Sequence, residues 1–193
     1  NRIHMIYYTN EDFKHSFNIE IIIKNLDIFE QLKDVNYYFA GGFPAALLLA
    51  PRSNENPDKI EPKYFSDIDL FFPTEEDFKK AQNIFRGNGD NSRPGGLELL
   101  VQADTENATT YIYWKNGIGY NIQLVRKMFL TEEELINTFD IVNCGITYNY
   151  NKKQWTSHAL FLQSNLNKKL TLNNPVMLNE DYPDYPNTIF FQL

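Results

Sequence analysis

The chain has 193 residues, 18 Lys and Arg against 25 Asp and Glu, and a formal charge of −7, the wrong sign for a protein that grips nucleic acid mainly through its phosphates. Hydrophobic residues make up 42% and aromatics 15%, too much apolar material for a disordered chain, so one packed domain is expected. The single cysteine, Cys144, excludes a disulfide framework and a cysteine-based zinc site, and no apolar run approaches a membrane span. A cytoplasmic location follows as the expectation, host cytoplasm or virion if the source is viral. There is no signal-peptide pattern, and the chain starts at Asn1 rather than Met, which leaves room for residues upstream.

Residues 19–33 carry Ile22, Leu26 and Phe29 at helical spacing, predicting an amphipathic helix. Residues 37–40 read as a short buried strand stopped by Gly41-Gly42, after which Pro44 opens a helix through Ala50. Residues 52–63 are a polar, proline-bearing loop. Residues 66–72, Ser-Asp-Ile-Asp-Leu-Phe-Phe, predict an apolar strand with two carboxylates at its start. Thr74 and Asp77 form a capping box for a helix with Phe78, Ala81 and Phe85 turned inward. Residues 87–96 are a glycine-rich loop lacking the ending of a P-loop.

Three strands are expected at 97–102, 109–114 and 119–125, the last two joined by an Asn116-Gly117 hairpin turn. Thr131 and Glu134 cap a short helix, residues 139–148 read as a further strand, and residues 156–166 as a terminal helix. The proline- and tyrosine-rich stretch 173–193 reads as a tail suited to attachment to a protein partner, outside a domain spanning 1–172.

Asp67-Ile68-Asp69 is the chemically informative motif. Residues two apart on a strand share a face, so both carboxylates converge while Ile68 enters the core. Such a clamp suits Mg²⁺, which takes few carboxylates and completes its shell with water and phosphate oxygens. Gly41-Gly42, between a strand and a helix, lets backbone N–H groups approach a phosphate. Cys144 in an apolar strand reads as core. In residues 111–114, Tyr-Ile-Tyr-Trp, the alternating aromatics read as packing rather than base stacking.

In this order, strand, Gly-Gly, helix, loop and Asp-x-Asp strand, the chain resembles the polymerase-β-like nucleotidyltransferases, which include tRNA nucleotidyltransferases and poly(A) polymerases. Residues 121–125, Asn-Ile-Gln-Leu-Val, with Phe139-Asp140 downstream, are similar to phage and large-virus members. The resemblance spans residues 37–148 and implies an α/β (α+β) fold with a mixed twisted sheet flanked by helices. It implies Mg²⁺ on Asp67 and Asp69, and an NTP bound by Gly41 and Gly42 with Gln123, Arg126 and Lys127. The implied reaction moves a nucleoside monophosphate to a hydroxyl of RNA, protein or small molecule.

Three departures stand out. Gly42 occupies the place usually held by Ser, and the gap to Asp67 is long. The strand that normally supplies a third carboxylate offers Asn121 and Gln123, on the face opposite Ile122 and Leu124. An amide is no general base at neutral pH, so Asp140 is the candidate third acid, ahead of Glu98 and Asp104. The alternative is a catalytically degenerate copy of the fold serving as a structural or interaction module, for instance within a viral assembly.

Overall fold

The computed structural model describes residues 4–64, 67–87, 97–129 and 131–173. Ser66, most of the glycine-rich loop, the Lys63 side chain and the tail beyond Asn173 lie outside the described residues.

The chain opens with β1 (Met5–Thr9), followed by α1 (Ile19–Leu26), β2 (Tyr38–Ala40) and α2 (Gly42–Leu49). Next come β3 (Asp67–Phe71), α3 (Glu75–Gly87), β4 (Glu98–Asp104), β5 (Ala108–Lys115) and β6 (Ile118–Val125). The order closes with α4 (Glu132–Asn137), β7 (Ile146–Asn149), β8 (Gln154–His158) and α5 (Phe161–Leu166). The strands form one mixed eight-stranded sheet in the order β1-β8-β7-β2-β3-β6-β5-β4. β3 runs parallel to β6, and the other described pairs are antiparallel. This is the mixed α/β, helix-flanked sheet that the sequence pattern implies, consistent with a nucleotidyltransferase-like fold.

Local chemistry explains most of the elements. Asn18 caps α1, its side chain accepting from the Glu20 N–H, and four apolar residues of the helix are buried. Asp27, in the left-handed region at φ 59°, ends α1, so the expected long helix becomes a helix plus a 3₁₀ turn over Ile28–Leu32. Thr74 accepts from the Asp77 N–H at 3.1 Å and donates to the Asp77 carboxylate at 2.7 Å, fixing the start of α3. Asn116 and Gly117 both take positive φ, 50° and 80°, as a type I′ hairpin turn demands.

One face of the sheet is covered by α1, α2 and α3. It carries Phe39, Ile68, Leu70, Tyr111, Tyr113, Tyr120, Ile122 and Leu124, all fully buried. Phe39 sits at 5.1 Å from Phe29, 5.6 Å from Tyr37 and 5.7 Å from Phe43, ring centre to ring centre. The packing reading of Tyr111 and Tyr113 holds: they stack at 6.2 Å inside this core.

Two expectations need correction, and one strand stands where no local pattern predicts it. Residues 139–148 are not one strand: Val142–Cys144 form a 3₁₀ turn and the strand starts at Ile146. The cause is Asn143, which donates to the Lys169 carbonyl and accepts from the Thr171 N–H, pinning the turn to the chain after α5. Residues 156–166 are strand then helix, because Gln154–His158 pairs with both β7 and β1. Finally, β1 itself, with no strong pattern of its own, is set by that long-range pairing. No helix among the described residues is long and apolar enough to cross a membrane.

Candidate functional site

Alternation along the strands puts a different set of residues on the other face of the sheet. The parallel register matches Asp67 with Asn121 and Asp69 with Gln123. The β5–β6 register then adds Ile112 opposite Asn121 and Thr110 opposite Gln123. In the β2–β3 ladder Tyr38 faces Phe71 and Phe39 faces Leu70, so Ala40, the last residue of β2, follows on the face that carries Asp69. Asp67 and Asp69 therefore share a face, as their spacing predicts, on the strand next to the one that leads into the Gly41-Gly42 turn.

The oxygen atoms of this group are unevenly satisfied. The Asn121 side-chain amide donates to Asp67 Oδ1 at 2.9 Å. Asp69 Oδ1 and Asn121 Oδ1 are buried and have no hydrogen-bond partner among the described residues. An unpaired buried acceptor costs about 1–3 kcal/mol, and two beside the Asp67 carboxylate form an oxygen-rich pocket that a cation would relieve. Burial, and then the charge of Asp67, push the Asp69 carboxyl up to about 6. The donor set, two carboxylates and an amide oxygen, is all hard oxygen and fits Mg²⁺.

Gly41 lies at φ 82° and ψ −142°, a conformation essentially reserved for glycine, and turns the chain from β2 into α2. The Phe139 ring lies against it, 3.6 Å from where a Cβ would stand. Gly42 is the first residue of α2 and is exposed, and a methyl group added there would meet no atom within 4 Å. The cap residue lends no side chain, and Pro44 lacks an N–H, so the first-turn donors are the Gly42 and Phe43 amides.

The remaining candidates are scattered. Asp140 is exposed and its carbonyl accepts from the Asn173 N–H. It does not join the pair: among the described residues, no three His, Cys, Asp or Glu side chains are grouped to hold a metal. Asp104 accepts from Thr109 at 2.7 Å on the outer strand β4, which Glu98 begins. Arg126 sits past the end of β6 with its guanidinium 4.6 Å above the Phe78 ring and 3.7 Å from Glu75, on the helix-covered face. Lys127 is exposed beyond it. Gln123 stands in the row of Asp69, two residues along β6 from Asn121 and on the same face. Burial pushes the Cys144 thiol up, which keeps it protonated and inert.

Two roles escaped the sequence reading. Asn121 is a direct partner of Asp67, legible only once the parallel β3–β6 register is known. Glu132, in the first turn of α4, accepts from Thr147 Oγ1 at 3.1 Å. Thr147 pairs with Ala40, so this carboxylate lies on the carboxylate face, two strands from Asp69. Nothing in its local sequence distinguishes it from an ordinary helix-start acid.

No curated protein matches the chain. Among solved structures, a tRNA-processing enzyme (apo form I) superposes with a TM-score of 0.51 at 16% identity, over 84% of this chain. The chain spans 38% of that enzyme's chain, and at such identity the likeness concerns the fold alone. A family model matches residues 7–168, which hold every described strand but the first two residues of β1, both carboxylates and the Gly-Gly turn. On that match the chain belongs to the Gabija anti-defense 2 family.

Proposed function

We propose that this chain is an anti-defense protein, as its family name states, working through a Mg²⁺-dependent nucleotidyltransferase site. The observation that carries the reading is the pair of unpartnered buried oxygens, Asp69 Oδ1 and Asn121 Oδ1, beside Asp67. Asp67 and Asp69 hold the cation, and the Asn121 amide orients the Asp67 carboxylate through its 2.9 Å bond. The first-turn amides of α2 receive the phosphates of an NTP, and Gly41 supplies the turn that aims them. A Mg²⁺ ion held by Asp67 and Asp69 would offset the triphosphate charge and make the α-phosphorus more electrophilic toward an acceptor hydroxyl, with pyrophosphate as the leaving group. Gln123 donates its amide from the same row to an oxygen of the nucleotide. The acceptor class is RNA, protein or small molecule.

A second reading has its own observation. Asn121 occupies the strand position next to Asp67 from which a third carboxylate would act, and an amide cannot take the acceptor's proton. On this reading the domain binds Mg²⁺ and nucleotide without turnover and serves as an interaction module. Pyrophosphate release separates the two. Incubation with each NTP, Mg²⁺ and a host extract releases pyrophosphate on the first reading, and Asp67→Asn with Asp69→Asn abolishes it. Saturable, Mg²⁺-dependent NTP binding without pyrophosphate selects the second. No NTP binding at all overturns both.

A further inference from the structure

We propose that Trp114 is a stacking platform for a nucleobase, at the far end of the carboxylate row; the inference rests on the nucleotide-site reading above. Of the aromatic run in β5, Tyr111 and Tyr113 point into the core, whereas Trp114 is 44% exposed on the opposite face. Its ladder partner is Gly119, and the indole edge lies 3.8 Å from where a Gly119 Cβ would be. Having no side chain there, the strand leaves the ring lying along the sheet. Neither an aromatic ring nor a cation covers this indole among the described residues: the neighbouring Lys115 is turned away to the Asn25 carbonyl and Asp27.

Register fixes the direction of the platform. Gly119 and Asn121 are two apart on β6, so Trp114 and the Asn121–Asp67 pair lie on the same face. Between them Ile112 stands opposite Asn121 and Gly119 opposite Trp114, while Val101, 47% exposed, flanks Ile112 on the outer side, on β4. From Asp67 to Trp114 is two strand spacings across and two residues along, roughly 12 Å between Cα atoms. That is about the reach from a metal-bound phosphate to the base of the same or an adjoining nucleotide. The track thus runs from phosphate-binding amides, through hard oxygen ligands, over an apolar floor suited to a ribose, to an open indole. A base provides the half-exposed indole with a flat apolar partner and does so with sequence tolerance. The base comes from the donor NTP or from an acceptor nucleotide, and both present the same chemistry to the ring.

Fluorescence titration reads this directly, because the other tryptophan, Trp155, is buried. The probes are Mg²⁺–tripolyphosphate, which has no base, Mg²⁺–ATP, and a single-stranded RNA tetramer without a triphosphate. The expected result is quenching by at least one base-bearing probe. Trp114→Ala should weaken that probe about tenfold while leaving Mg²⁺–tripolyphosphate binding unchanged, and Trp114→Phe should restore most of the loss. Loss confined to ATP assigns the donor base, and loss confined to the tetramer assigns an acceptor base. If tripolyphosphate binds but neither base-bearing probe quenches Trp114 or responds to its substitution, the inference is overturned and the site reading stands. If tripolyphosphate fails to bind while a base still quenches Trp114, the site reading fails and the base platform stands.

Discussion

The two faces of the sheet are built from the same strands and obey opposite rules. On the helix-covered face, Phe39, Ile68, Leu70, Tyr111, Ile122 and Leu124 are sealed beneath three helices, and nearly every contact is apolar. On the other face Asp69, Thr110 and Gln123 form a polar row, and beside it a smaller apolar cluster of Ala40, Phe71, Phe129 and Leu135 packs under α4. One residue of shift along any strand moves between these worlds, so the register that buries the core also gathers the carboxylates. The core face is thus tuned for stability, and the carboxylate face carries cost. Two buried oxygens there lack partners among the described residues, and an acid is held at about 6.

Substitutions on the two faces should therefore differ in sign as well as size. Phe39→Ala removes a ring packed against three others and should destabilise by about 3–5 kcal/mol, read by urea denaturation. A loss below about 1 kcal/mol would mean that the core face is not the stabilising one.

The Gly-Gly turn gives the next contrast. Gly41→Ala should cost about 1–3 kcal/mol, since its φ of 82° and ψ of −142° suit no other residue. Gly42→Ala meets open space in a helical conformation and should be neutral or stabilising by about 0.4–1 kcal/mol. Equal effects at the two positions would contradict the assigned turn.

Asp69 gives the most diagnostic effect. Its folded carboxyl is raised from 3.8 to about 6, so the folded protein holds the proton more tightly than the unfolded chain. Ionisation then costs stability: the metal-free protein loses stability as pH rises from about 4 to about 6, and the loss is constant above that. Asp69→Asn removes the cost, so the metal-free variant should be more stable than the native chain at pH 7, by about 1–2 kcal/mol, and by little at pH 4. A variant less stable at pH 7 would show that Asp69 is a structural rather than a functional acid.

Much of this was legible in the sequence where the signals are local. The Asp-x-Asp spacing, the Gly-Gly turn, the Thr74 cap and the Asn116-Gly117 hairpin each depend on a few consecutive residues, and each stands where its local pattern puts it. The face shared by Asn121 and Gln123 followed from alternation alone. What the sequence withheld depends on distant partners. β1 exists because β8 pairs with it about 150 residues later, and the 139–148 strand breaks because Asn143 is bound to residues 169 and 171. Arg126 resembled a phosphate ligand until Glu75 and Phe78 claimed it on the opposite face. Asp140 resembled a third acid only while residues 139–148 read as an unbroken strand.

The central claim is that Asp67, Asp69 and Asn121 form a cation site serving a nucleotide. Thermal unfolding with and without Mg²⁺ and ATP, on the native chain and on Asp67→Asn/Asp69→Asn, tests it most directly. The account predicts a Mg²⁺-dependent rise in Tm with ATP for the native chain, reflecting about 2.7 kcal/mol of added stability at a ligand concentration 100 times Kd, and none for the double variant. An equal rise in both proteins, or no rise in either, would contradict it.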